Sequence, residues 1–167
     1  MKHNAFRLMM SILLISTVYS NLFAYDACID GFYYDFLGNE ATLVNPSNSK
    51  EDRDVTDFSG DISMPGTVSY QDKNYIVTKI GEGAFYGSQN LTSIVIPNTI
   101  IAIGGSAFSG CTNLTSVYMP NTIKSIGASA FAYCGSLANI SIPQSLEYIH
   151  GSAFDGSSYA EWIDSQP

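Results

Sequence analysis

The sequence repeats itself every 23 residues. Four segments align without gaps, starting at Val77, Ile100, Ile123 and Leu146. Three are complete, at residues 77–99, 100–122 and 123–145. The fourth, at 146–157, is partial and then decays. Phe85, Phe108, Phe131 and Phe154 fall in one column, each preceded by Ala. Ile80, Ile103, Ile126 and Ile149 form a second column; Leu91, Leu114 and Leu137 a third; Pro97, Pro120 and Pro143 a fourth. A period of this length marks a chain that stacks one small unit on copies of itself.

Each unit reads physically. Leu91, Ile94 and Ile96 suit a strand with one buried face, ended by Pro97, which cannot continue a ladder. Ile100 and Ile103 begin a second apolar stretch on the return side. Gly104-Gly105 lets the backbone turn, and Ser106-Ala107-Phe108 predicts a short helical turn. One unit cannot bury these residues alone. Coils stacked at about 4.8 Å per strand step can, and their phenylalanines then form a ladder, each contributing roughly 1.5–3 kcal/mol when buried. The expected fold is an α/β repeat solenoid: a right-handed coil with a parallel β face and little helix, behind a β-rich N-terminal cap.

That cap is expected over residues 25–76. Residues 32–36 and 41–44 read as a hairpin around Leu37-Gly38-Asn39-Glu40. Residues 45–58 read as a polar loop. Short strands are expected at 62–64, 68–70 and 75–77, separated by Pro65-Gly66 and by residues 71–74 as turns. At the other end, residues 158–167 read as a capping tail. The register puts Ala160 in the leucine column, Ile163 in an isoleucine column and Ser165 at a buried position, so the apolar rows fade. A half-coil cap is one outcome; an open end that pairs with a second copy is the other.

Residues 1–24 differ from the rest. Lys2 and Arg7 precede a mostly apolar stretch at 8–18, and Leu22-Phe23-Ala24 offers a cleavage site, the layout of a secretory signal. The apolar core is shorter than the roughly 20 residues that span a bilayer. An uncleaved anchor is the alternative, and Tyr25 and Asp26 speak against lipidation at Cys28. Membrane insertion is not expected once the signal is removed.

Without Lys2 and Arg7, five basic residues remain against 15 acidic, a net charge of −10. Such a chain repels phosphates, which argues against nucleic acid as partner. Ten of the acidic residues lie between Asp26 and Asp72, so the repeats are nearly uncharged. Three cysteines do not make a disulfide framework.

The repeat from Ile103 to Ile123 resembles the BspA-like (Treponema pallidum type) leucine-rich repeat family, whose units read IGxxAFxGCxxLTSIxIPxSV. The resemblance covers Val77 to about Gly156. More loosely, Ile29-Asp30-Gly31-Phe32-Tyr33-Tyr34 and Gly60-Asp61-Ile62 look like the N-terminal part of exported members from gut and oral Bacteroidetes. The resemblance implies a secreted or cell-surface protein that adheres to an extracellular partner, such as a host matrix or bacterial surface protein. It also implies that the column of Cys111 and Cys134 holds small buried side chains.

No residue pattern announces catalysis, and no cofactor or metal is expected. After signal removal His150 is the one histidine, in a column of Gly81, Gly104 and Gly127. That column suggests a positive-φ position, where His is tolerated. Adjacent coils would bring Cys111 near Cys134; free packed thiols are the preferred reading and a disulfide the other. The acidic run Glu51-Asp52-Arg53-Asp54, with Asp57 and Asp61, lacks an EF-hand's glycine and terminal glutamate and reads as a solvated loop. The sequons at Asn90, Asn113 and Asn139 arise from the repeat itself.

The candidate partner-binding residues are the exposed strand positions: Ser93, Val95, Ser116, Tyr118, Asn139, Ser141, Trp162 and Asp164. They would line the parallel sheet face, where Tyr and Trp are enriched at hot spots. The expected function is protein interaction or adhesion through that face, without enzymatic activity. The alternative is a secreted glycan-binding or glycan-processing protein; a hydrolase would need two carboxylates roughly 5–10 Å apart.

Overall fold

The computed structural model describes residues 25–45 and 58–159. Residues 1–24, read above as a secretory signal, the acidic run 51–57 and the tail from 160 lie outside the described residues, and Trp162 and Asp164 lie there with them.

Among the described residues twelve strands follow one another: β1 (Ala27–Ile29), β2 (Phe32–Leu37), β3 (Glu40–Val44), β4 (Gly60–Ser63), β5 (Thr67–Tyr70), β6 (Lys73–Ile80), β7 (Leu91–Val95), β8 (Ala102–Ile103), β9 (Ser116–Tyr118), β10 (Ser125–Ile126), β11 (Asn139–Ile140) and β12 (Tyr148–Ile149). They form two sheets. The first runs β1-β2-β3-β6-β8-β10-β12, with β5 paired to β6; the second runs β11-β9-β7-β4.

The 23-residue period is the strand step of both sheets. Ser93 pairs with Ser116 and Ser116 with Asn139, all parallel. Lys79 pairs with Ala102, Ala102 with Ser125 and Ser125 with Tyr148, again parallel. Equivalent residues of successive repeats therefore stand side by side. Four phenylalanine rings stack between the sheets: Phe85 to Phe108 at 4.9 Å, Phe108 to Phe131 at 5.1 Å and Phe131 to Phe154 at 5.2 Å, within 9° of parallel. Phe58 and Phe32 abut the column at one end and Tyr159 at the other. Leu91 and Ile94 of β7, and Ile96 just after it, are buried in the same core.

Three tight hairpins precede or lead into the repeats. β2 and β3 pair antiparallel about Gly38-Asn39. β5 and β6 pair about Gln71 and Asp72, at φ 49° and 59°. Two positive φ values match the twist of a two-residue hairpin. β1 pairs with β2 about Asp30 and Gly31, likewise both positive. β1 was not expected from the sequence, although Asp30-Gly31 is a strong hairpin signal. β4 pairs parallel with β7 through Asp61–Ser93 and Ile62–Ile94, so the second sheet begins before the repeats.

Two expectations are corrected. The segment around Ser106-Ala107-Phe108 is not a helical turn. It is an arc of four-residue turns whose amides alternate in use. Ala84, Tyr86 and Ser88 donate within their own coil, while Gly83, Phe85 and Gly87 donate to Gly105, Ala107 and Ser109 of the next. The cross-coil bonds break any helical run. Nor is the glycine column 81, 104, 127 a positive-φ column; the left-handed residues are Gly83, Ser106 and Ser129, two positions on. Gly81, Gly104 and Gly127 are needed because coils touch there. A Cβ on Gly104 would lie 2.8 Å from Gly81 C, and one on Gly127 2.6 Å from Gly105 N.

His150 therefore occupies a place shaped for glycine. The inner coils are joined by rungs such as Gly83 to Gly105 and Ser106 to Ala128. The matching bond from Ser129 to Gly151 is not formed. Instead His150 Nδ1 accepts from the Ser152 amide at 3.2 Å and lies 2.9 Å from Ser152 Oγ.

Candidate functional site

The outward face of the second sheet is built by the strands over the leucine and isoleucine rows. Because Leu91, Ile94 and Ile96 point inward, Thr92, Ser93 and Val95 point outward, and the register repeats this on β9 and β11. The core beneath holds the backbone rigid, so these side chains form a fixed array.

Tyr118 stands highest, 61% exposed. Val95 lies beside it on β7 at the same register and is also exposed. Asn139 and Ser141 are exposed at the β11 edge. Ser93 is half-buried. Ser116 corrects the sequence reading: it is buried, 8% exposed. It is a small side chain on the central strand, flanked by Ser93 and Asn139, and cannot rise above them.

The face contains residues the sequence reading missed. Asp61 on β4 joins it, because Asp61-Ile62-Ser63-Met64-Pro65 aligns with Ser93-Ile94-Val95-Ile96-Pro97. That resemblance was legible and would have moved Asp61 from the acidic loop to the sheet. Its Oδ1 accepts from Thr92 Oγ1 at 2.8 Å and Ser93 Oγ at 2.6 Å. The Ser93 bond first, then the Thr92 bond, hold its carboxyl below the usual range. Thr115, also on the face, donates its hydroxyl to Thr92 O. The array is thus mostly hydroxyls and amides, with one ordered carboxylate and one exposed ring.

Elsewhere the groups that chemistry would need stand apart. Cys111 and Cys134 are buried and not joined in a disulfide, each thiol 3.1 Å from the carbonyl of Phe85 or Phe108 in the preceding coil. Burial pushes the Cys134 thiol up to about 12. Cys28 is free and exposed. Among the described residues no three His, Cys, Asp or Glu side chains gather to hold a metal. His150 neighbours Ser152, and among the described residues no carboxylate partners its ring. Glu147 pairs with Lys124 at 2.7 Å. One open cleft, of about 440 Å³, contains a single carboxylate, Asp30. Another, of about 380 Å³ beside β11, contains none. No helix among the described residues is long and apolar enough to cross a membrane.

Residues 72–166 match the family model described as a BspA type leucine-rich repeat region, in six copies. Several solved structures are similar. A leucine-rich repeat protein from Bacteroides ovatus is 32% identical, with a TM-score of 0.67, over 80% of this chain and 33% of that one. A leucine-rich cell surface protein from Faecalibacterium prausnitzii is 29% identical, with a TM-score of 0.62, over 74% of this chain and 32% of that one. A leucine-rich repeat protein from Bacteroides capillosus is 28% identical, with a TM-score of 0.67, over 78% of this chain and 91% of that one. The chain spans about a third of the length of the first two. No curated protein matches it.

Proposed function

The chain belongs to the BspA-type leucine-rich repeat family, and from that membership we propose that it is an exported, non-enzymatic module that binds an extracellular protein through the outward face of its second sheet. The observation that carries this reading is the exposed Tyr118, set beside Val95 on strands fixed by the core. A tyrosine side chain has only two side-chain angles to order on docking, and tyrosine is over-represented among binding hot spots. The leader-like residues 1–24 support export. The similar protein from Faecalibacterium prausnitzii is described as a cell surface protein, which supports a surface or secreted location. The partner fits a host matrix or bacterial surface protein. Trp162 and Asp164 would extend the same face by one register step, and self-association through the C-terminal end is the accompanying proposal for that edge.

The test is capture. The whole chain is immobilised and exposed to extracellular matrix extract and to bacterial surface extract, beside a Tyr118→Ala, Trp162→Ala double variant. The expected outcome is a protein retained by the parent and lost from the variant. Equal retention by both would show that binding, if present, uses another surface.

A further inference from the structure

The second sheet ends at β4, and beside β4 lies the apolar cleft of about 440 Å³. Resting on the protein-interaction reading above, we propose that this edge and cleft take an extended segment of a partner protein in which apolar side chains alternate with lysine or arginine.

The edge offers a backbone template. The amides of Gly60 and Met64 donate inward, to Asn90 O and Val95 O of the β7 side. Strand alternation then turns the amides and carbonyls of Asp61 and Ser63 outward. Among the described residues no strand pairs with that side of β4. An unpaired ladder edge accepts an added strand.

The cleft says which side chains that strand should carry on its inner side. Phe32, Phe58 and Ile62 line it, half-buried. Phe58 lies 4.6 Å from Phe85, and Phe32 stacks on Phe58 at 5.3 Å. The cleft thus opens on the end of the phenylalanine column, and a partner's aromatic or branched side chain placed there becomes its next rung.

Charge says what the outer side should carry. Residues 25–45 and 58–72 bear six acidic side chains and no basic one: Asp26, Asp30, Asp35, Glu40, Asp61 and Asp72. Asp30 lines the cleft and Asp61 projects from β4 itself. On an added strand, the residue facing outward beside Asp61 would sit about 5 Å away, the cross-strand distance at which opposite charges attract.

The experiment titrates the whole chain with a fluorescent nine-residue probe that alternates lysine with valine and phenylalanine, read by anisotropy. Saturable binding is expected. N-methylation of every second residue should weaken it at least tenfold in one register and less than twofold in the other. Replacing the lysines by glutamate should weaken it at least tenfold, and Asp61→Asn about fivefold. Absence of binding, indifference to both methylation registers, or indifference to the glutamate exchange each overturns the proposal. These decisive arms change the probe and leave the protein intact, so none depends on a variant folding. Tyr118→Ala should leave probe binding unchanged, which separates failure of this edge from failure of the face.

Discussion

At the residue scale, His150 takes the place that Gly81, Gly104 and Gly127 hold in the other coils, where an added Cβ would lie within 2.8 Å of neighbouring backbone. His150→Gly is therefore expected to restore the Ser129 to Gly151 rung, slow exchange of the Ser129 amide at least tenfold and raise Tm by a few degrees. An unchanged Ser129 exchange rate would contradict this. The columns of Phe85 and Leu91 were legible in the sequence because burial follows directly from spacing. The angle at Ser106 was not, because it is set by hydrogen bonds to a neighbouring coil that no local pattern announces. The buried thiols give a second expectation. Cys134 has its thiol pushed from an ordinary 9.0 to about 12, chiefly by burial. A raised thiol value favours the protonated folded form, so its contribution to stability is complete below about 9 and is lost as pH rises towards about 12. Mass spectrometry after iodoacetamide at pH 8 should find Cys28 modified in the folded protein, and Cys111 and Cys134 modified only after unfolding. Rapid labelling of Cys134 in the folded chain would contradict this.

At the element scale, the parallel rows follow from one fact: a unit that buries Leu91, Ile94 and Ile96 on one strand needs its neighbours to cover the rest. The phenylalanine column ties the rows together. Phe108 is fully buried between Phe85 and Phe131. Phe108→Ala should cost about 3–5 kcal/mol in denaturant unfolding, because rigid coils on both sides cannot collapse into the cavity. Leu37, 85% exposed at its hairpin, should change stability by less than about 0.5 kcal/mol when replaced by serine. Similar losses at both positions would mean that the column does not bear the load assigned to it. The N-terminal hairpins were partly legible. Residues 32–44 declared theirs through alternation, whereas β1 was hidden by its length: three residues carry too little pattern. β4 was legible as a strand but not as a member of the second sheet, because the β5–β6 hairpin is inserted between it and the next unit and breaks the 23-residue count.

At the scale of the whole molecule, ten of the fifteen acidic residues lie between Asp26 and Asp72 and the repeats are close to neutral. The two surfaces therefore suit different contacts: a hydroxyl-rich face centred on Tyr118, and an acidic edge at β4. The face was legible from alternation alone, except that sequence cannot tell a central strand from an edge strand, which is why Ser116 was expected in water and is buried. The claim that the face binds a partner is tested most directly by affinity. Once a protein has been captured, its Kd is measured by surface plasmon resonance for the parent chain, for Tyr118→Ala and for Tyr133→Ala. Tyr133 is as exposed as Tyr118 but sits on the turn arc, away from the sheet face. The account predicts at least tenfold weaker binding for Tyr118→Ala, as for a hot spot, and less than twofold for Tyr133→Ala. Equal affinities for the parent and Tyr118→Ala, or the larger loss at Tyr133, would contradict it.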